Sequence, residues 1–194
     1  MAFFKPFALE RYFAKHEFSA RYLMCSSDCE SFPVRELLAM DEGSLDRLLD
    51  QRLGYTETRG APSLRSAIAA HYAGLSADAV VVHSGAEEAI LNLCLAMLKP
   101  GDEVIVNAPC YQSLAEIPRA MGCTVKFWEF REVAARDGTS RWFLDPDELP
   151  SLSAGKAKMI ILNAPHNPTG ALPTRQEFEA IVGYARSTGA ILFV

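Results

Sequence analysis

The stretch Asn163-Ala164-Pro165-His166-Asn167-Pro168-Thr169-Gly170 concentrates side chains able to do chemistry. It follows Met159-Ile160-Ile161-Leu162, an apolar run too short for a helix and β-branched enough for a buried strand. Two prolines and a glycine end that strand in a rigid loop. Asn163, His166, Asn167 and Thr169 are thereby expected at the carboxyl end of a strand, where open α/β sheets bind ligands. An amide such as that of Asn167 can donate a hydrogen bond to an oxyanion. Alone, the stretch reads equally well as a proline-stiffened turn with no chemistry, so its weight depends on what the fold brings to it.

Two further stretches offer groups of matching kind. Ser84-Gly85-Ala86-Glu87 follows a short Val-rich run and opens a helix, where free backbone N–H groups and the helix dipole favour an anion such as phosphate. Gly85 lets the backbone come close, and the Ser84 hydroxyl adds a donor. Tyr111 stands just past another strand, held by Pro109, and an aromatic there could stack on a flat ring or simply fill the core. An anion clamp, a stacking platform and an amide donor together suit a phosphorylated planar aromatic cofactor. Pyridoxal 5′-phosphate (PLP) answers that description.

The elements that must position these groups alternate along the chain. Val80-Val81-Val82 is expected as a short strand, followed by a helix to about Leu98 with Ala89, Ile90, Leu93, Cys94 and Met97 along one side. Val104-Ile105-Val106 is the next strand. The helix after Tyr111 contains Pro118, which should kink or shorten it, and Gly122 closes it. Thr124 to Phe130 reads as a strand, and residues 131–150 as a polar surface excursion with a helical turn near Asp147. After the Asn167 loop, Thr174 and Glu177 form a T-x-x-E capping box for a helix to about Thr188, stopped by Gly189. Such alternation predicts an α/β fold with a mostly parallel sheet. Upstream, Phe7 to Phe18 reads as an amphipathic arm and Cys25 to Pro33 as turn-rich. Ser44 is expected to cap a helix to about Leu53, with Leu45, Leu48, Leu49 and Leu53 on one face. Ser63 is expected to cap another, with His71 an ordinary surface histidine. Between them, Tyr55 lies in a loop bounded by Gly54 and Gly60.

Composition narrows the classes. Of 194 residues, 49% are hydrophobic and 22% charged, which is ordinary for a globular protein. A net charge of −5, with no block of Lys or Arg, argues against nucleic acid or an anionic membrane surface as partner. Lys5, Pro6 and Glu10 interrupt the start before a signal-peptide core could form, and no apolar run has the length to span a bilayer. Five cysteines at irregular spacing point to reduced thiols and a cytoplasmic location. Cys25 and Cys29 lack the second Cys/His pair that a zinc site needs.

Taken in order, Gly54-Tyr55…Gly60 with Leu64-Arg65, then Ser84-Gly85-Ala86, then Pro109-x-Tyr111, then Asn167-Pro168-Thr169-Gly170, the sequence resembles the class I/II aminotransferases of PLP fold type I. The match runs from about residue 50 to the last residue. The resemblance implies a three-layer α/β/α fold, PLP as cofactor, amino acid and 2-oxo acid as substrates, and a homodimer. It implies that Tyr55 reaches the cofactor phosphate of the neighbouring subunit and that Gly85, Ala86 and Glu87 offer backbone donors to the phosphate. It further implies that Tyr111 stacks on the pyridine ring and that Asn167 bonds its phenolic oxygen.

The chain departs from the family pattern at several points. Glu87 places a carboxylate beside the expected phosphate, which repels it unless the side chain turns away. An Asp-x-x-Tyr for the pyridine nitrogen, the Schiff-base lysine and the substrate-carboxylate arginine are not found, and none of Lys5, Lys15, Lys99, Lys126, Lys156 or Lys158 lies in a suitable motif. The last residues, Ala190-Ile191-Leu192-Phe193-Val194, read as the start of a buried strand. The expectation is therefore a fragment: residues 1–44 an arm and part of a small domain, 45–194 the first half of the cofactor domain, incomplete at its C-terminus. Catalytic residues are expected beyond Val194, and the 194 residues alone are expected to be inactive. Another fold type I enzyme (a lyase, decarboxylase or cyclase) or a non-catalytic binding or regulatory domain remains the alternative, because the quoted motifs do not fix reaction type.

Overall fold

The computed structural model describes residues 4–26, 28–134 and 138–194. The first three residues, Ser27 in the turn-rich segment and residues 135–137 in the polar excursion lie outside the described residues. The chain forms two compact units, Met1–Ser27 with Glu87–Val194, and Asp28–Ala86. The arm carries helix α1 (Ala8–His16), with Glu10 in its first turn and Lys15 and His16 in its last, the charge order that suits a helix dipole.

The Asp28–Ala86 unit holds α2 (Val34–Ala39), α3 (Ser44–Leu49) and α4 (Pro62–Ala69). Both expected caps shift. Gly43, with φ of +73°, is the N-cap of α3, while the Ser44 hydroxyl donates to the Leu38 carbonyl. The helix stops at Leu49, short of Leu53, and Leu45, Leu48 and Leu49 are exposed. Ala61 precedes α4 and Pro62 takes its first position, where the missing N–H costs nothing. His71 is exposed just past that helix.

Val80–Val82 is extended but forms no strand, which corrects the expectation. Among the described residues, its one backbone link outside the local turn is Val82 N–H to the Arg59 carbonyl, 2.9 Å, so β-branching sets the backbone shape without a ladder to join. The link explains Gly60. Its φ is +104°, and a Cβ there would stand 2.4 Å from Val82 Cγ2, so a side chain is barred on two counts. Arg65 ties the same corner, donating from Nε to the Gly60 carbonyl (3.0 Å) and from Nη1 to that of Ala77 (2.8 Å).

The remaining elements are α5 (Ala86–Met97), β1 (Glu103–Ala108), α6 (Gln112–Ala120), β2 (Thr124–Glu129), β3 (Arg131–Ala134), β4 (Ser140–Phe143), α7 (Leu149–Ser153), β5 (Ala157–Ile161), α8 (Arg175–Thr188) and β6 (Ile191–Phe193). The main sheet runs β2-β1-β5-β6 and every pairing in it is parallel. A register shift lies between Glu103 and Val104, at the amino end of β1. Residues alternate between two cores, as strand geometry requires. Val104, Val106, Met159 and Ile161 pack with Ile90, Cys94 and Leu98 of the α5 segment and Leu114 and Ile117 of α6. Ile105, Ile160 and Leu162 pack with Trp128, Leu149, Ile181 and Ala185 on the other side. Helices thus cover both faces of a parallel sheet, the expected α/β/α arrangement.

Helix α6 runs only nine residues, and the fully buried Pro118 lies two residues before its end. Residues 131–150 are less irregular than expected. They hold an antiparallel hairpin, β3–β4, pairing Arg131 with Phe143 through Ala134 with Ser140, before the turn at Pro146–Glu148. Its strands are mostly exposed, so no apolar alternation announced them. The Thr174 capping box forms with both bonds in place, Glu177 N–H to Thr174 Oγ1 (3.3 Å) and Thr174 N–H to Glu177 Oε2 (2.7 Å).

Candidate functional site

After β1 the chain moves outward to β2 on one side, and it returns to place β5 on the other. The loops leaving the carboxyl ends of β1 and β5 therefore diverge around a switch point, the place where open parallel sheets hold ligands. Pro109, Cys110 and Tyr111 leave one strand, and Asn163 to Gly170 leave the other.

Those two loops are joined by side chains. Asn107, fully buried at the end of β1, accepts the Asn163 N–H at Oδ1 (2.7 Å), while its Nδ2 is buried with no partner among the described residues. Asn163 Oδ1 in turn accepts the Asn167 N–H (2.9 Å) and so fixes the backbone from which the half-buried Asn167 side chain projects. His166 is 2% exposed, with Nε2 2.6 Å from the Pro109 carbonyl and Nδ1 2.7 Å from Thr169 Oγ1. A carbonyl can only accept, so Nε2 carries the proton. Burial lowers the His166 pKa below its usual value, with the Pro109 carbonyl opposing it. Sequence reasoning placed His166 at a strand end but gave it no role, because its partner is 57 residues away.

Tyr111 is half-buried at the start of α6, with the Phe7 ring 5.1 Å away and inclined at 59°. Burial raises its pKa, and the charges of Glu87 and Glu10 and a hydrogen bond with Glu87 add to the rise. The Glu87 carboxylate is thus near enough to Tyr111 to influence its titration. Ser84, Gly85 and Ala86 belong to the Asp28–Ala86 unit. Ser84 is exposed, Gly85 has φ of +125°, and Ala86 and Glu87 are the first residues of the twelve-residue α5. Among the described residues, apart from its chain neighbours, nothing lies within 4 Å of the position a Gly85 Cβ would take. An anion has room there against backbone donors that no helical carbonyl uses. Tyr55 is fully exposed on its loop. Of the lysines, Lys99 and Lys156 precede β1 and β5, Lys126 and Lys158 lie within β2 and β5, and Lys5 and Lys15 lie in the arm. None stands at the carboxyl end of a strand.

The profile of the family described as aminotransferase class I and II matches residues 36–194. The chain belongs to this family. Among aminotransferase relatives, kynurenine–oxoglutarate transaminase 3 of Mus musculus is 34% identical over 151 residues, covering 73% of this chain and 33% of the relative. Aspartate aminotransferase of Thermotoga maritima is 34% identical over 137 residues, 68% of this chain and 35% of the relative. The chain thus spans about a third of the length of the curated relatives it matches. A PLP-dependent aminotransferase from Streptococcus suis 89-1591 superposes with a TM-score of 0.86 at 30% identity, covering 97% of this chain and 50% of that one. The PLP-dependent cyclase OrfR superposes with a TM-score of 0.81 at 34% identity, covering 97% and 48%. The α/β fold is accordingly that of PLP fold type I. Within the unit that holds the sheet, Tyr111 and Asn167 follow the adjoining strands β1 and β5, an aromatic and an amide of the kinds that suit the ring of that cofactor.

Proposed function

We propose that the chain forms part of a PLP-dependent aminotransferase, which moves an amino group between an amino acid and a 2-oxo acid. The observation that carries this reading is the switch point between β1 and β5, where bonds from Asn107 and His166 tie the Tyr111 loop to the Asn167 loop. Ser84, Gly85, Ala86 and Glu87 would hold the phosphate through the Ser84 hydroxyl and backbone N–H groups. Tyr111 would cover the ring, and Asn167 would donate to its phenolic oxygen, favouring the anion there. When bound, PLP supplies an aldehyde that condenses with an amino group and a pyridine that accepts the electron pair left at the α-carbon. Tyr55, projecting fully into solvent, suits a role toward a second subunit, and on that reading the enzyme is a homodimer. Five free cysteines fit a cytoplasmic, reducing setting.

The test, made on the whole protein of which this chain forms part, pairs PLP titration, followed by visible absorbance, with an assay of amino transfer to a 2-oxo acid. Saturable PLP binding with keto-acid formation supports the reading, and absence of saturable binding overturns it. The likeness to the cyclase OrfR favours a second reading, in which the same cofactor site serves ring closure. Saturable PLP binding without consumption of any 2-oxo acid would select that one.

A further inference from the structure

We propose that His166 is a positioning residue that locks the loop carrying Tyr111 to the loop carrying Asn167, so that one buried imidazole sets both contacts to the cofactor ring. The proposal rests on the reading that those two residues touch PLP. With 2% of its surface exposed and both ring nitrogens engaged, His166 is not placed to touch a ligand itself.

The bond directions are fixed one by one. Nε2–H donates to the Pro109 carbonyl, so the neutral ring has its lone pair on Nδ1. That lone pair must receive the Thr169 hydroxyl proton, and the Thr169 oxygen accepts the Ala171 N–H (3.2 Å). The His166 backbone completes the turn: its N–H donates to the Ala171 carbonyl (2.8 Å), and its carbonyl accepts from Gly170 N–H (2.7 Å). The ring lies 4.1 Å from that of Phe130, inclined at 33°, and Phe130 N–H donates to the Ala108 carbonyl (2.8 Å). Groups following three strands, β1, β2 and β5, thus meet on one side chain. Asn107 supplies a second link between the loops, but it reaches only the Asn163 N–H, ahead of the turn. The turn that presents Asn167 is fastened to the Tyr111 loop through His166.

The test compares wild type with His166→Phe, which keeps a ring against Phe130 and removes both side-chain bonds, and with His166→Gln, whose amide can still donate to Pro109. Amide hydrogen exchange without cofactor reads the lock directly. Faster exchange in both loops, around Cys110–Gln112 and around Asn167–Ala171, is expected for the Phe variant, with partial recovery in the Gln variant. PLP titration then reads the consequence. The Phe variant should bind PLP roughly tenfold more weakly, the scale of one buried hydrogen bond, and with altered visible circular dichroism. Exchange confined to the 166–171 turn, or unchanged PLP affinity and dichroism in a folded Phe variant, overturns the proposal. If the Phe variant does not fold, Thr169→Val takes its place. It frees Nδ1 while sparing the Pro109 bond, and it should show a smaller change of the same kind in both loops; no change there overturns the proposal. A wild type that binds no PLP defeats the functional reading instead, and the exchange experiment still decides whether the lock exists.

Discussion

The ring of Phe7 lies against that of Tyr111, 5.1 Å between centroids, because Gln112 holds the arm by its backbone. Gln112 accepts the Ala8 N–H at Oε1 (2.9 Å) and donates from Nε2 to the Pro6 carbonyl (3.0 Å). An amide is well suited to this, since it offers a donor and an acceptor to one peptide stretch. Gln112→Ala should release the arm at a cost of about 1–2 kcal/mol, the net worth of two partly exposed hydrogen bonds. Limited proteolysis should cut α1 faster in the variant than in wild type, and equal rates would show that the arm is held by other means.

Asn167→Ala removes the amide proposed to favour a negative charge on the phenolic oxygen of PLP. The bound chromophore should then change colour at a higher pH than in wild type, because the anionic form has lost a donor. A spectrophotometric pH titration decides, and superimposable curves would contradict the assignment.

The buried His166 gives the protein a specific acid sensitivity. Its folded pKa is held below the usual 6.5 by burial. The unfolded chain then binds the proton more readily, so the stabilisation is complete above that value and lost as pH falls through the folded pKa. Unfolding free energy from urea titration should decline in wild type as pH falls below the ordinary histidine value of 6.5, and His166→Gln should flatten that slope. Glu177 titrates in a lower window. Burial raises its pKa, but hydrogen bonds from Arg141 and Thr174 outweigh burial and bring it below 4.5.

Gly60→Ala should be among the more damaging single substitutions in the Asp28–Ala86 unit. The positive φ costs about 1 kcal/mol or more, and the clash with Val82 adds to it. Val82→Ala in the same chain relieves only part of the clash, since the Cβ at position 82 remains 2.7 Å from the added methyl. The double variant should therefore melt between wild type and the Gly60 variant, and full recovery would show that the backbone angle is not strained.

Strands β1 and β5 and helix α8 were legible because local pattern and tertiary role agree. Val104–Val106 and Met159–Leu162 are buried on both faces, and Thr174, Glu177 and Gly189 mark the helix by hydrogen bonds within one turn. Val80–Val82 misled because β-branching dictates an extended backbone, whereas a strand needs a neighbour that sequence does not name. Ser44 and Ser63 misled because glycine and proline beside them set the helix starts. The hairpin β3–β4 escaped because its exposed residues carry no apolar period. Ser84 to Glu87, Tyr111 and Asn167 were singled out by residue type and position; Tyr111 and Asn167 do follow strands β1 and β5, whereas Ser84 to Glu87 open α5 with no strand before them. The parts played by His166, Asn107 and Gln112 depend on partners 56 to 106 residues away, beyond any local signal.

The bonds from Asn163 to Asn107 and from His166 to Pro109 span 56 and 57 residues. Neither loop can take its final shape until β5 has docked against β1, whatever its own residues prefer. The ring-facing surface is thus a late product of folding, made in the step that closes the longest loops of the sheet and therefore among the slowest. A ligand that recognises this surface binds only chains that have completed the step. A cofactor bound there would leave the rate of docking unchanged and slow the reverse, a ratchet on assembly rather than a template for it.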